Sequence, residues 1–132
     1  NEKVIMFYCE DEMRAFCKIH NLDIQVDAAV LYDIDAFIEK ICLNDIDCNL
    51  ILRFWNIASD MAYTLKESFI GDDDGMDCVI LDVYNKLFYG TNPPALKKDS
   101  PEVYIPKWTK EERLILSNVM DDAIRIFYKY LK

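Results

Sequence analysis

The residues with the clearest chemical promise stand in "IGDDDGMD", residues 70 to 77, where Asp72, Asp73, Asp74 and Asp77 gather carboxylates in one short stretch. Oxygen-rich loops of this kind can hold calcium. An EF-hand loop needs ligands at its first, third and fifth positions, a glycine at the sixth and a bidentate Glu at the twelfth. With Gly75 as the sixth residue, Asp72 and Asp74 stand correctly, but the first position is Ile70 and the twelfth is Leu81. Neither side chain can ligate, so the spacing speaks against calcium, and no cofactor or metal is expected. Two readings stay open. The stretch is a solvated connection with Asp74 or Asp77 capping the helix that follows, or it presents carboxylates to Lys or Arg of a partner, which they can grip bidentately.

Other chemistry is thinner. His20 is the only histidine, and Cys17 lies three residues before it. A Cys–His nucleophilic pair needs a third group to orient the base, and none is evident. There is no phosphate-binding glycine loop, no nucleophile elbow, no H-E-x-x-H and no metal-spaced Cys/His set. Asp33/Asp35 and Asp45/Asp47 read as solvated faces rather than acid–base dyads, which require convergent geometry. No catalytic residue is assigned, and the chain is expected not to be an enzyme.

The elements that must position these residues follow from periodicity. Met6, Cys9, Met13, Phe16 and His20 lie on one helical face across residues 2–20, although "KVIMFY" also suits a short strand. Val30, Leu31, Ile34, Phe37, Ile38 and Ile41 form an amphipathic stripe with Asp27 as its expected N-cap. Leu50, Phe54, Ile57, Ala58, Met61 and Leu65 recur at helical spacing between Ile46 and Phe69, and Ile51, Leu52 and Trp55 add apolar surface. This is the expected central helix. Met76, Val79, Ile80, Val83 and Leu87 make the next, stopping where Gly90 can take the left-handed conformation.

Pro93, Pro94, Pro101 and Pro106 then keep the chain from helix. Thr109 with Glu112 three residues on is a capping box, opening a last helix through Leu116, Met120, Ala123, Ile124, Phe127 and Leu131. The fold expected is all-α: a single-domain bundle of about five principal helices over residues 1–132, with one long proline-containing loop before the last. Scarce turn residues, 3 Gly and 4 Pro in 132, favour long helices over a sandwich or barrel.

Charge limits the partners. The 24 acidic and 15 basic side chains give −9, and residues 1–85 carry 18 of the acids but only 6 of the bases. Nucleic acid and anionic membrane are poor partners for such a surface; a basic protein is a good one. The 5 cysteines, an odd number without C-x-x-C, read as buried reduced thiols of a cytosolic protein. No secretory signal is evident, and no apolar run approaches the ~18–20 residues of a membrane span.

One block adds a resemblance. "YNKLFYGTNPPALKKDSPEVYIPKWTKEERLIL" (84–116), with "LRFWNIASDMAYTL" (52–65) upstream, resembles a pattern in small bacterial immunity proteins. That pattern has a helix ending in Leu-Phe-Tyr-Gly, an Asn-Pro-Pro-Ala-like loop, a Tyr-x-Pro-x-Trp link and a Thr-capped helix. The chain is similar to the immunity proteins of contact-dependent growth inhibition systems, the helical type that neutralises a ribonuclease-A-like toxin domain. The resemblance implies a cytosolic inhibitor that forms a one-to-one complex with a cognate basic toxin domain and blocks its active site or substrate cleft. Candidate toxin-binding residues are then Asp72, Asp73, Asp74 and Asp77 for steering, with Tyr89, Tyr104 and Trp108 as anchors. Those aromatics can equally pin the long loop to the bundle. A rival class is a viral or phage host-interaction protein: a Bcl-2-like bundle with a helix-binding groove, or an acidic nucleic-acid mimic directed at a defence nuclease.

Overall fold

The computed structural model describes residues 4–25, 30–72, 77–96 and 102–130. Among them are five α-helices and one short 3-10 turn, with no strand, so the fold is all-α. No helix of the described residues is long and apolar enough to cross a membrane. The chain falls into two compact units, Asn1–Leu31 and Tyr32–Lys132.

The first unit holds α1 (Glu10–Ile19). Glu10, Asp11 and Glu12 in its first turn and Lys18 in its last complement the helix dipole. The helix is shorter than the periodicity suggests. Met6 and Cys9 precede it, and the described residues before it are neither helix nor strand. Glu12 instead reaches back to accept from the Tyr8 N–H at 3.2 Å, which fixes the start. Phe7, Phe16 and His20 make a small aromatic row, with ring centroids 5.4 and 4.2 Å apart.

The second unit is built from α2 (Ile34–Cys42), α3 (Cys48–Leu65), α4 (Cys78–Gly90), a 3-10 turn (Pro94–Leu96) and α5 (Lys110–Tyr130). α2 begins later than its stripe suggests: Asp33 is the N-cap, accepting from Ala36 N–H, and Leu31 is exposed. The expected cap Asp27 lies outside the described residues, as do Met76 and Leu131. α3 buries the longest row, from Cys48 through Ile51, Phe54, Trp55, Ala58 and Met61 to Ala62. Its buried face is turned toward Ile51 and Trp55, leaving Ile57 exposed. The expected central helix is therefore the most deeply packed, but α5 is the element that meets α2, α3 and α4 alike. Its 21 residues span about 30 Å, enough to cross all three.

Phe54 gathers an aromatic core: Phe127 stacks on it at 4.7 Å, with Phe37 at 4.9 Å and Tyr32 at 5.4 Å. Fully burying such a side chain contributes roughly 1.5–3 kcal/mol.

Helix ends show how a glycine-poor chain turns. Asn21, Asn44, Lys66 and Asn92 take positive φ after α1, α2, α3 and α4. Asn is the residue after Gly best suited to this conformation. Gly90 is not the stop that was expected; α4 includes it, and Asn92 makes the left-handed turn. Gly90 is required for another reason. A Cβ there would meet Cys48 Sγ at 2.5 Å and Pro106 Cγ at 3.0 Å, so its absence lets α4, the start of α3 and the loop close on one another.

The thiols depart from expectation too. All five are free, but only Cys17 and Cys48 are buried; Cys9, Cys42 and Cys78 are exposed.

Candidate binding cleft

The long loop is fixed at three points. Thr109 and Glu112 form the capping box: the Thr109 N–H donates to Glu112 Oε1 at 2.9 Å, and the Glu112 N–H donates to Thr109 Oγ1 at 3.1 Å. Lys86 of α4 donates to both Glu112 oxygens and to the Lys107 carbonyl, and its ammonium lies 5.0 Å from the centre of the Trp108 ring. Partial burial works against ionisation of Glu112, yet the Thr109 N–H and Lys86 together hold its carboxyl below the usual glutamate range. The third point is Asn92. Its carboxamide accepts from the Tyr104 N–H at 2.7 Å and donates to the Tyr104 carbonyl at 2.9 Å.

This anchored loop faces the turn between α2 and α3 across a cleft of about 510 Å³. One wall carries Asp45, Asp47 and Cys48; the other carries Tyr104, Ile105 and Trp108. Asp47 caps α3, accepting from the Leu50 N–H at 3.1 Å. Among the described residues no hydrogen bond or ion pair engages the Asp45 carboxylate. Burial, then the neighbouring Asp47 charge, push the Cys48 thiol up, so it stays protonated and serves packing rather than nucleophilic chemistry. Two carboxylates beside two aromatic rings suit a cation, by charge-assisted hydrogen bonds and by the ring faces.

The acidic connection is a different place. Asp77 caps α4, accepting from the Val79 N–H at 2.9 Å. Asp72 accepts from Ser59 Oγ at 3.2 Å, while its N–H donates to the Phe69 carbonyl. Asp73 and Asp74 lie outside the described residues. The segment is tied to the core by Trp55, whose indole N–H donates to the Gly71 carbonyl at 2.8 Å. Asp122 of α5 accepts from the Ile70 N–H, and Arg125 donates to the Ser68 carbonyl. Lys129 and Tyr130 both donate to Glu67, which holds that carboxyl below its usual range.

α4 separates the two places. Asp77 stands at its start and Tyr89 near its end, about 18–20 Å apart along the helix. Of the candidate residues, the structure brings Tyr104 and Trp108 into one cleft. Tyr89 is half exposed on α4 with its ring edge-on to Phe88, and it does not line that cleft. The cleft's own carboxylates, Asp45 and Asp47, are visible in the sequence only as one acidic pair among several. Nothing local marks them as facing the loop. Asn92 carries no chemical signal in the sequence at all.

The chain matches no protein-family model, no curated protein and no solved structure.

Proposed function

We propose that this chain is a non-catalytic, cytosolic immunity protein that binds a basic nuclease domain, of ribonuclease-A-like type, and blocks its active site or substrate cleft. The observation that carries this reading is the cleft. Among the described residues Asp45 has no cation partner, Asp47 leaves one carboxylate oxygen beyond its capping bond, and both stand beside Tyr104 and Trp108. Ribonucleases that hold an RNA backbone present Lys and Arg at their substrate cleft, and an acidic inhibitor can occupy the same surface. The resemblance of residues 52–65 and 84–116 to immunity proteins supplies the partner class. Several bases of the second unit are turned to internal partners: Lys86 to Glu112, Arg113 to the Cys42 carbonyl, Arg125 to Asp122 and Lys129 to Glu67. Glu39, Asp45, Asp60, Asp82, Glu111 and Asp121 are exposed and unpaired among the described residues.

The test is direct. The purified chain is titrated into a purified ribonuclease-A-like toxin domain, taken from the neighbouring gene where that gene encodes one, while RNA cleavage is followed. Cleavage should stop at one equivalent, and paired Asp45→Asn and Asp47→Asn changes should slow association at low salt. Cleavage that continues at a large excess of the chain overturns the proposal.

A further inference from the structure

Among the described residues, the loop segment next to the cleft carries main-chain groups without partners. The N–H and C=O of one residue point the same way only when its backbone is extended. Asn92 bonds both groups of Tyr104, so Tyr104 is extended and its hydrogen-bonding edge is filled by a side-chain amide. Ile105 precedes Pro106, and ring crowding restricts such a residue to extended conformations as well. In an extended segment, successive residues turn their main-chain groups to opposite edges. Val103 and Ile105 therefore present theirs away from Asn92. Among the described residues, neither the N–H nor the C=O of Val103 or Ile105 has a hydrogen-bond partner. Their side chains are β-branched and 63% and 78% exposed.

We infer that residues 103–105 are a pairing edge that takes up an extended, Lys- or Arg-bearing segment of the partner protein as an added strand, with Asp45 and Asp47 gripping its cationic side chains. This rests on the basic-partner reading and specifies the contact. β-Augmentation fits because main-chain bonds from Val103 and Ile105 supply attachment irrespective of sequence, while the acidic wall of the cleft supplies selection for charge. Pro106 ends the edge, since it has no N–H, and so brief an edge does not invite unlimited strand stacking.

The probe is a capped six-residue peptide of alternating Val and Lys, beside the same peptide N-methylated at every residue. The two have equal charge, but the second has no main-chain N–H to donate along the edge. Binding is followed by calorimetry and by amide exchange of the full chain. The plain peptide should protect the Val103 and Ile105 amides from exchange, and the methylated one should bind about tenfold more weakly or worse. Ile105→Pro, which removes one edge N–H at an already extended position, should weaken the plain peptide severalfold. Equal affinity for the two peptides, or no protection at Val103 and Ile105, overturns the edge and leaves the basic-partner reading standing. Protection that is indifferent to salt and to Asp45→Asn with Asp47→Asn leaves the edge and overturns the basic partner.

Discussion

The two ends of α4 make opposite use of polar residues. At its start, the acidic connection is dense in carboxylates, yet Asp72 bonds Ser59 and Asp77 caps the helix, while Asp122, Arg125 and Lys129 of α5 hold the segment before them. At its end, the proline-containing loop is poor in carboxylates, with only Asp99 and Glu102 between Thr91 and Thr109. Among the described residues, Asp45 nevertheless stands across the cleft from this loop with an unpaired carboxylate, and Val103 and Ile105 of the loop keep unpaired main-chain groups. A run of acids is therefore not by itself a binding site. A carboxylate already engaged in a cap or a hydrogen bond has less to offer a partner than one left without a cation in a cleft.

The two ends of α4 differ most in how their tryptophans are packed. Trp55 is fully buried and holds the acidic connection through Gly71, whereas Trp108 is only half buried under Lys86. Trp55→Ala should lower unfolding free energy by about 3–5 kcal/mol, and Trp108→Ala by clearly less, both read by urea denaturation. Equal losses would mean that the loop is as much a part of the core as the acidic connection.

Next in size is Gly90→Ala. Its Cβ would press on Cys48 Sγ and Pro106, so the variant should lose about 1–3 kcal/mol despite the better helix propensity of alanine. Cys48→Ala in the same chain should restore part of the loss. An additive double mutant would show that the crowding lies elsewhere.

Glu112→Gln keeps the capping-box geometry and removes the charge, so it tests what that charge adds to the bonds with the Thr109 N–H and Lys86. A carboxyl whose folded pKa lies below its unfolded value gives stability that is present above the unfolded value. That stability disappears as pH falls through the folded one. Glu112 is such a group. The variant should be less stable by about 1 kcal/mol at neutral pH. The two stability curves should then converge in acid, below the ordinary glutamate value of about 4.3. Curves that stay parallel would show that the charge does not hold the loop.

The smallest effects concern association and one helix end. Asp45→Asn with Asp47→Asn should slow capture of the basic partner severalfold at low salt and little at high salt. Asp72→Asn with Asp77→Asn should change it less; stopped-flow mixing separates them. Asn caps as well as Asp, so neither pair should alter stability much. Lys66 closes α3 with φ of 55°, and Lys66→Gly should gain roughly 1 kcal/mol by thermal unfolding.

Much of the fold was legible because it is written in local spacing. The row from Cys48 to Ala62, the breaks at Asn21 and Asn44, and the Thr109–Glu112 box all depend on residues within about one or two turns of each other. Boundaries were less legible where a cap outcompeted periodicity, as when Glu12 starts α1 late and Asp33 starts α2 after an apolar stripe has begun. The candidate site was half legible. Tyr104 and Trp108 stand out by type, but the denser run of acids at 72–77 masks the pair beside them, Asp45 and Asp47.

Helix periodicity, proline geometry and capping act over a few residues, so the order of amino acids is enough to specify an all-helical, acidic chain with a proline-interrupted, sharply capped loop. Packing of the helices is what makes Gly90 leave room for Cys48 and Pro106, lets Asn92 fill one edge of Tyr104, and sets Asp45 and Asp47 across a cleft from them. Those pairings join positions far apart in the chain, and their geometry exists only once the helices have packed.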